Sequence, residues 1–466
     1  MSGLSRRNFL MGSAVGGLAP MLGRGSQAQR SRPNVLLIIA GDVAAWMCGC
    51  YGNQEIRTPS IDQLARLGVR FRNAFCTTPA SSASRATLFT GRTPMQHGIH
   101  DFLTAEPVAS PAQGQQAPPP SFASEVMLSD LLAKAGYHCG YAGRWAMGGD
   151  ENPGRGYSFT YTMKAGPLTY RDPVMYRNGK EVKETGYLTD LITAAAVEFL
   201  DRQQAGEPFC LVIGYPNAHP PYDGHPQKYY DMYAETEFDS LGWQRPAANA
   251  LRGKEMLSDI VGNIRKAAAS VSALDAQIPI LLGRLRDQKL WTDTLIVFTS
   301  DSGHLLGRHG LWGSGLASDP INMFDETMQV PLIMSWPGEI PVEAQRPEQI
   351  GFYDIFPTLC ELTGVATPEG RNLPGRSFVH AMKRRPLARD EAAWPSTVYG
   401  YYRNTRMARE RRFKLIVRND GAGPNEFYTL DRDAQEFQNR YDDRRVVTVR
   451  DRMRRQVDEW VDKYSS

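Results

Sequence analysis

Three continuous apolar runs are the strongest feature of the hydrophobic pattern. None of them alternates with polar residues, which is typical of parallel strands that are covered on both faces. Each run is soon followed by Gly, Pro, Asn, Asp or Ser, residues that favour turns. The runs are residues 35–40 (VLLIIA), 209–214 (FCLVIG) and 294–299 (TLIVFT).

Helical patterns lie between these predicted strands. Apolar residues recur at helical spacing over residues 61–67, 127–135, 188–203 and 264–286. This alternation predicts an α/β fold, with a mostly parallel central sheet and helices on both faces. Ligands of such sheets bind beyond the carboxyl ends of the strands. Asp42, His219 and Asp301 follow the three strands, so we expect them to meet at one edge.

The strand–helix alternation stops after about residue 386. Beyond it the pattern predicts antiparallel strands over 407–417 and 426–430 around a turn at 419–421, and then an amphipathic helix over 446–464. We therefore expect an α/β domain over 29–385 and a small C-terminal antiparallel α+β subdomain over 386–466.

The first 28 residues have the pattern of an export signal. Arg6 and Arg7 precede a weakly apolar stretch that ends near Leu22, and small residues follow up to Ala28. This is typical of a twin-arginine signal peptide, which implies the twin-arginine export machinery as a partner and a periplasmic or secreted location. The apolar stretch is short and rich in glycine, so we expect no transmembrane span in the mature protein.

Charge and cysteine content narrow the class of protein. The 53 basic residues nearly balance the 50 acidic ones, for a net charge of +3, which gives no indication of a nucleic-acid partner. Six cysteines in 466 residues are too few for a disulfide scaffold, and we expect most to be small core residues. An oxidising compartment would still allow one bridge.

A serine-rich stretch at residues 79–92 (PASSASRATLFTGR) has two alternative interpretations. Ser is a preferred N-cap, so the stretch predicts the start of a short buried helix. Ser81 and Arg85 are also four residues apart, which would put a nucleophile and a cation on one helix face, near the positive end of the helix dipole. Such a place suits an oxyanion. The stretch alone leaves both interpretations open.

Several further motifs accompany this stretch. They are residues 33–38 (PNVLLI), 50–53 (CYGN), 58–64 (TPSIDQL), 219–222 (HPPY), 298–301 (FTSD), 309–313 (HGLWG), 330–333 (VPLI), 413–417 (FKLIV) and 428–433 (YTLDRD). Together with residues 81–85 (SSASR) and 90–92 (TGR), they resemble the sulfatases of the alkaline-phosphatase superfamily. The resemblance covers most of the chain after the signal, and the signature is of the Ser type with Ala in its third place.

The resemblance implies an enzyme that hydrolyses the sulfate ester of a carbohydrate or an aryl alcohol. In this family a maturase oxidises the signature Cys or Ser to formylglycine. One hydroxyl of its hydrate attacks the sulfur, and the other then eliminates the sulfate. By resemblance Ser81 is the precursor of the nucleophile, and Arg85 holds the hydrate or a sulfate oxygen. His219 contacts the sulfate, and Arg144 stands where the family has a lysine.

The resemblance also implies one calcium ion. Asp42 and Asp301 would be its carboxylate ligands, helped by Ser302 or the Gly41 carbonyl, with Ser81 beside the ion as the modified residue. Calcium takes about 6–8 oxygen ligands, so water or backbone oxygens would complete the set.

Five positions depart from the family pattern. The family has two Asp where the chain has residues 41–42 (GD), and Asp-Asn or Asp-His where it has residues 301–302 (DS). The usual Gly-Lys-Trp-His becomes residues 143–146 (GRWA), and the lysine expected after Leu-Trp-Gly is Ser314. One carboxylate, one histidine and one lysine of the family are therefore absent.

These departures leave two alternatives to a sulfatase. One is a protein that binds a sulfated glycan without cleaving it. The other is a phosphate- or phosphonate-ester hydrolase that uses Ser81 directly, although two-metal phosphatases need more Asp and His than these strand ends offer. His304 and His309 lie near the same edge in the sequence pattern and could replace the absent histidine, but we expect both to be structural.

Overall fold

A large sheet and a small one organise the structure, which is a computed structural model. Within the residues that it describes (32–103, 115, 118–383, 393–418 and 423–465), the large sheet has ten strands and the small one has four. The large sheet contains β1 Asn34–Ala40, β2 Val69–Phe75, β3 His138–Gly143, β4 Phe159–Met163, β5 Val174–Arg177, β6 Lys180–Lys183, β7 Phe209–Gly214, β8 Thr294–Ser300, β9 Leu332–Ser335 and β10 Ala344–Gly351. The small sheet contains β11 Thr397–Tyr402, β12 Thr405–Glu410, β13 Phe413–Arg418 and β14 Glu426–Thr429.

The α-helices vary in length from a single turn to more than four. In chain order they are α1 Pro59–Arg66, α2 Ser81–Thr90, α3 Pro94–His97, α4 Leu128–Lys134, α5 Leu188–Asp201, α6 Gln227–Asp231, α7 Ile260–Asp275, α8 Ile278–Asp287, α9 Asp325–Met328, α10 Phe352–Thr363, α11 Val379–Lys383 and α12 Val447–Lys463.

The strand order of the large sheet is β10-β2-β9-β8-β1-β7-β3-β4-β5-β6. The five consecutive strands β8, β1, β7, β3 and β4 are parallel to one another. Strand β9 is antiparallel to both of its neighbours, β8 and β2. Strand β5 is antiparallel to both β4 and β6. Ala40 pairs with Ser300, and Gly143 pairs with Gly214. The carboxyl ends of β8, β1, β7 and β3 are therefore level with one another, and the loops that follow them share one edge.

Both faces of the sheet are covered, which explains the continuous apolar runs. In β1 the side chains of Val35, Leu37 and Ile39 belong to the core on the side of α2 and α10. Leu36 and Ile38 belong to the core on the side of α5 and α7. All five are fully buried. The predicted fold class, a mostly parallel sheet with helices on both faces, is confirmed.

The predicted C-terminal sheet is also present, but its first strand was predicted wrongly. The run 407–417 is two antiparallel strands, β12 and β13, in which Met407 pairs with Ile416. The exposed Arg411 and Arg412 form the turn between them, because two consecutive charged side chains are more favourable in water than in a sheet. Helix α12 packs on this sheet through Met453 and Val457.

The predicted helix over 264–286 is likewise two helices. Helix α7 ends at Asp275, and α8 begins at Ile278 with a proline in its first turn. Proline lacks the N–H that a helix interior needs, but it fits the first turn, where that N–H has no partner. The strands that the pattern missed, such as β2 (VRFRNAF) and β3 (HCGYAG), carry polar residues or glycines that interrupt any apolar run.

Some predictions lie outside the described residues, namely the export signal over 1–28 and the turn at 419–421. In the part of the chain that is described, no helix is both long and apolar enough to cross a bilayer. The six cysteines all lie within it, and each is a free thiol.

Candidate active site

A cavity of about 860 Å³ opens at the level carboxyl ends of the parallel strands. Four residues singled out from the sequence line it: Asp42 after β1, Ser81 at the start of α2, Arg144 after β3 and His219 after β7. They come from four separate segments of the chain. The strand order brings them together, because β1, β7 and β3 are direct neighbours in the sheet.

Ser81 is the first residue of α2 rather than its N-cap. The cap position is Ala80, which has extended backbone and no capping side chain. The Ser81 hydroxyl is therefore not used as a cap, and its Oγ accepts a hydrogen bond of 3.2 Å from Nη1 of Arg144. The first turn of a helix also presents backbone N–H groups without helical partners, which favours negative charge at this point.

Arg85, one helical turn further on, is fully buried and does not line the cavity. Its Nε donates to Oδ2 of Asp301 over 2.8 Å, and its Nη1 donates to the hydroxyl of Tyr141 and to the carbonyl of Arg144. Burial disfavours the charged guanidinium, but Tyr141 and Asp301 hold the pKa of Arg85 above its ordinary value. Arg85 therefore joins α2 to the ends of β8 and β3.

Asp42 and Asp301 at the sheet edge are joined by a hydrogen bond from the backbone of one to the carboxylate of the other. The Asp42 N–H donates to Oδ1 of Asp301 over 3.3 Å, and Oδ1 of Asp42 accepts from the Ser302 hydroxyl over 2.7 Å. Burial favours the neutral acid, but His219, His304 and the other polar neighbours lower the pKa of Asp42 below its ordinary value. Asp42 is consequently ionised at neutral pH, and its backbone is left-handed, with φ of 59°.

The donor atoms of these side chains are of the kind that a hard cation binds. Asp42, Asp301 and Ser302 present only oxygen atoms, which is what calcium prefers. Within the described residues, however, no group of three or more His, Cys, Asp or Glu side chains could hold a metal ion. Any ion at this edge would therefore depend on two carboxylates, one hydroxyl and ligands from backbone, water or substrate.

Two histidines beside Asp42 are fixed in opposite tautomers. His219 Nδ1 lies 2.5 Å from the Pro220 carbonyl, which can only accept, so Nδ1 carries the proton and Nε2 of the neutral ring has a lone pair. His304 Nδ1 instead accepts from the Leu306 N–H over 3.0 Å, so its proton is on Nε2. Burial lowers the pKa of both rings, that of His304 to about 4.

Several other residues of the cavity wall have no signal in the sequence pattern. Asp150 is one, and burial raises its pKa to about 6 although Arg144 opposes this. Lys164 and Arg252 line the cavity further out. None of these follows a long apolar run. The strands before Asp150 and Lys164 were not predicted, and Arg252 lies in a loop far from any strand, so their position depends on tertiary packing alone.

The arrangement can bind and polarise an anionic ester. Arg144 beside the Ser81 hydroxyl can neutralise negative charge that develops there. Ser81 is itself buried, and burial strengthens such interactions. Nε2 of His219 is 3.9 Å from Oδ2 of Asp42. A proton taken up by this ring would therefore be stabilised by the carboxylate.

The positions that depart from the family pattern are all at this edge. Ala146 and Ser314 line the cavity, so two small side chains stand where the family has a histidine and a lysine. Gly41 is packed so closely that a Cβ atom there would lie 2.7 Å from the Pro216 carbonyl oxygen. The loop after β7 thus excludes a second aspartate at this position.

Comparisons with known proteins agree with the fold and the motifs. The family profile described as Sulfatase matches residues 33–365, and the one described as N-sulphoglucosamine sulphohydrolase, C-terminal, matches residues 313–463. The uncharacterized sulfatase YidJ of Escherichia coli (strain K12) is 27% identical, over 93% of this chain and 88% of its own length.

Two further proteins extend this likeness. The N-acetylglucosamine-6-O-sulfatase of Bacteroides thetaiotaomicron is 25% identical, over 88% of this chain and 83% of its own. The solved structure of BT4656 in complex with its substrate D-glucosamine-2-N,6-O-disulfate superposes with a TM-score of 0.78 at 22% identity, over 93% and 98% of the two chains. The latter likeness shows a shared fold, and the profile match confirms the family inferred from the motifs.

We expect Gly41→Ala to destabilise the protein, because the added methyl group would be forced against the Pro216 carbonyl. Overpacking of this kind costs about 1–3 kcal/mol of unfolding free energy, to be measured by denaturant unfolding. The matched control is Gly283→Ala in α8, where a Cβ atom has nothing within 4 Å and helix propensity favours alanine by about 1 kcal/mol. Equal stability of Gly41→Ala and the parent chain would contradict the packing constraint.

Proposed function

The chain belongs to the sulfatase family and is a hydrolase of sulfate esters, and we propose that it removes sulfate from a carbohydrate at Ser81. The observation that carries the proposal is the contact between the Ser81 hydroxyl and Arg144 at the start of a buried helix, in the wall of the cavity. A nucleophile, a cation and a helix N-terminus then act on the same anionic group.

A sugar substrate is supported by the relatives and by the size of the cavity. One relative is an N-acetylglucosamine-6-O-sulfatase, and about 860 Å³ is within the usual range for a small-ligand site. Asp150 and Arg252 in the wall offer an acceptor and a donor for hydroxyl groups of a sugar.

We further propose that Ser81 acts after oxidation to formylglycine by a maturase. Its hydrate would supply one hydroxyl for attack on sulfur and a second that lets the sulfate leave, which an unmodified serine lacks. Arg144 would neutralise the oxygen at residue 81 and a sulfate oxygen. Nε2 of His219, the ring nitrogen that has a lone pair, would take up a proton. Arg85 would act indirectly, by holding Asp301.

Calcium is the ion that we propose at the sheet edge. Asp42 and Asp301 would hold it, with Ser302 and the Gly41 carbonyl as further oxygen donors. When bound, the ion would lower the free energy of negative charge on the nucleophile and the sulfate. Two alternatives would be favoured by other results: a protein that only binds sulfated glycans, if it never turns over, and a phosphate- or phosphonate-ester hydrolase, if it prefers phosphorus esters.

We also propose that the protein is exported by the twin-arginine route to the periplasm or beyond. The proposal rests on Arg6 and Arg7 before the weakly apolar stretch. Replacing both with lysine is expected to leave the precursor inside the cell, as measured by fractionation and immunoblotting. Normal export of that variant would contradict the proposal.

Ser81→Ala is expected to abolish sulfate-ester hydrolysis, because no nucleophile remains. In matured wild-type protein the peptide that contains Ser81 should be lighter by two hydrogen atoms, and protein made without a maturase should stop after one turnover. Mass spectrometry and a sulfate-release assay measure these effects.

The matched control for Ser81→Ala is Ser82→Ala. The Ser82 hydroxyl accepts from the Leu103 N–H rather than from Arg144, so most of the activity should remain. Full activity of Ser81→Ala would show that the nucleophile is elsewhere.

Asp42→Asn is expected to weaken calcium binding by at least about tenfold, because it removes one of two anionic ligands. Calorimetric titration of the unmodified chain measures this affinity independently of turnover. Asp150→Asn is the control, since it removes a carboxylate of the same cavity outside the cluster. An equal loss in both variants would place the ion elsewhere, and two tightly bound zinc ions would favour the phosphatase alternative.

A further inference from the structure

His304 is a buried side chain in the wall of the cavity. Its exposed fraction is 1%, and its ring packs edge-on against Trp312 with centroids 5.5 Å apart. Its backbone carbonyl accepts from Nε1 of Trp46, and its Nδ1 accepts from the N–H of Leu306. Trp312 and the Leu306 N–H therefore fix the orientation of the ring, and Trp46 holds the backbone of the same residue.

This geometry determines what the other ring nitrogen can do. Because Nδ1 receives a backbone N–H, it cannot carry a proton, and the proton of the neutral ring must be on Nε2. The ring can thus donate from Nε2, but it offers no lone pair there for a metal ion or for a general base. His219 is the opposite case, with its proton on Nδ1.

Nε2 of His304 is a buried donor for which the described residues supply no hydrogen-bond partner. Buried donors are rarely left unpaired in native proteins, and each such group calls for an explanation, such as a ligand. His304 lines the same cavity as Ser81, Arg144 and Ala146. An acceptor in that cavity is what would satisfy the free N–H.

We propose that His304 is a substrate-binding residue that donates its Nε2–H to an oxygen of the bound sulfate group. This inference rests on the proposed function, and it goes beyond it by assigning a residue that the family resemblance does not. Two positions where the family has a histidine and a lysine, Ala146 and Ser314, also line the cavity. Ala146 offers no donor and Ser314 offers only a short hydroxyl group, so the Nε2–H of His304 is a further donor in the wall of this cavity.

A neutral donor differs from the lysine that is absent. Its hydrogen bond is directional and adds no positive charge, so it recognises a sulfate oxygen at one position. Arg144 remains the cation beside the nucleophile. The expectation from sequence that His304 is merely structural is thereby replaced by a binding role.

The test compares three substitutions of His304 in the full-length, unmodified chain. Glutamine can place an amide N–H where Nε2 was, asparagine has a shorter side chain that cannot, and leucine has no donor. Titration with inorganic sulfate in a calorimeter is expected to show a loss of affinity of about tenfold or more for His304→Leu and His304→Asn, as for a lost hydrogen bond to an anion. His304→Gln should stay within a few-fold of the parent chain.

His138→Gln is the matched control, because His138 has a side chain that is 54% exposed and does not line the cavity. Thermal unfolding of each variant shows whether the fold is retained, and the glutamine-versus-asparagine contrast separates donation from packing. Unchanged sulfate affinity in His304→Leu, equal losses in all three variants, or no sulfate binding by the parent chain would overturn the proposal.

Turnover by the matured enzyme separates this inference from the proposed function. If the variants lose sulfate binding as expected but the parent hydrolyses no sulfate ester, the proposed function fails and the role of His304 stands. If the parent hydrolyses a sulfate ester and His304→Leu has the same KM and the same inhibition by sulfate, the role of His304 fails and the function stands.

Discussion

The buried ion pair between Arg85 and Asp301 is the interaction on which the site depends. Neither side chain has any exposed surface, and they meet at 2.8 Å. A lone buried charge is strongly unfavourable, so each requires the other. Because Arg85 is in the helix that begins with Ser81, and Asp301 follows a central strand, the pair fixes Ser81 relative to the sheet edge. The backbone carbonyl of Arg144 also accepts from Arg85, so the same interaction fixes the position of Arg144, the second cation.

Charge explains how the departures from the family pattern can coexist. At this edge the carboxylates Asp42 and Asp301 face the cations Arg85 and Arg144, so the formal charges of these four side chains balance without the proposed calcium ion. The chain lacks one carboxylate, at Gly41, and one cation, at Ser314. Losing one charge of each sign leaves the balance unchanged, whereas losing only one would leave an uncompensated buried charge. The two departures are therefore consistent with each other electrostatically, and the closeness of Pro216 to Gly41 makes the first of them a matter of packing.

The two histidines of the site, His219 and His304, have opposite and fixed tautomers. Backbone groups set both tautomers: the Pro220 carbonyl holds the proton of His219 on Nδ1, and the Leu306 N–H holds that of His304 on Nε2. One ring can then accept a proton, and the other can donate a hydrogen bond, without any rearrangement. Groups that are fixed before the reaction need no reorganisation during it, which is the main source of electrostatic catalysis.

The sequence by itself determined the central strands, the fold class and the edge at which the candidate site lies. Continuous apolar runs are local signals, and parallel strands always present their carboxyl ends together. It also determined that Ser81 and Arg85 lie one helical turn apart, since that spacing is intrinsic to a helix. Only the tertiary structure decided that the Ser81 hydroxyl meets Arg144 instead of capping the helix, and that Tyr141, Asp150 and His304 join the site. Those contacts link residues that are distant in the chain, and they depend on strand order, ring orientation and close packing, none of which a local pattern encodes.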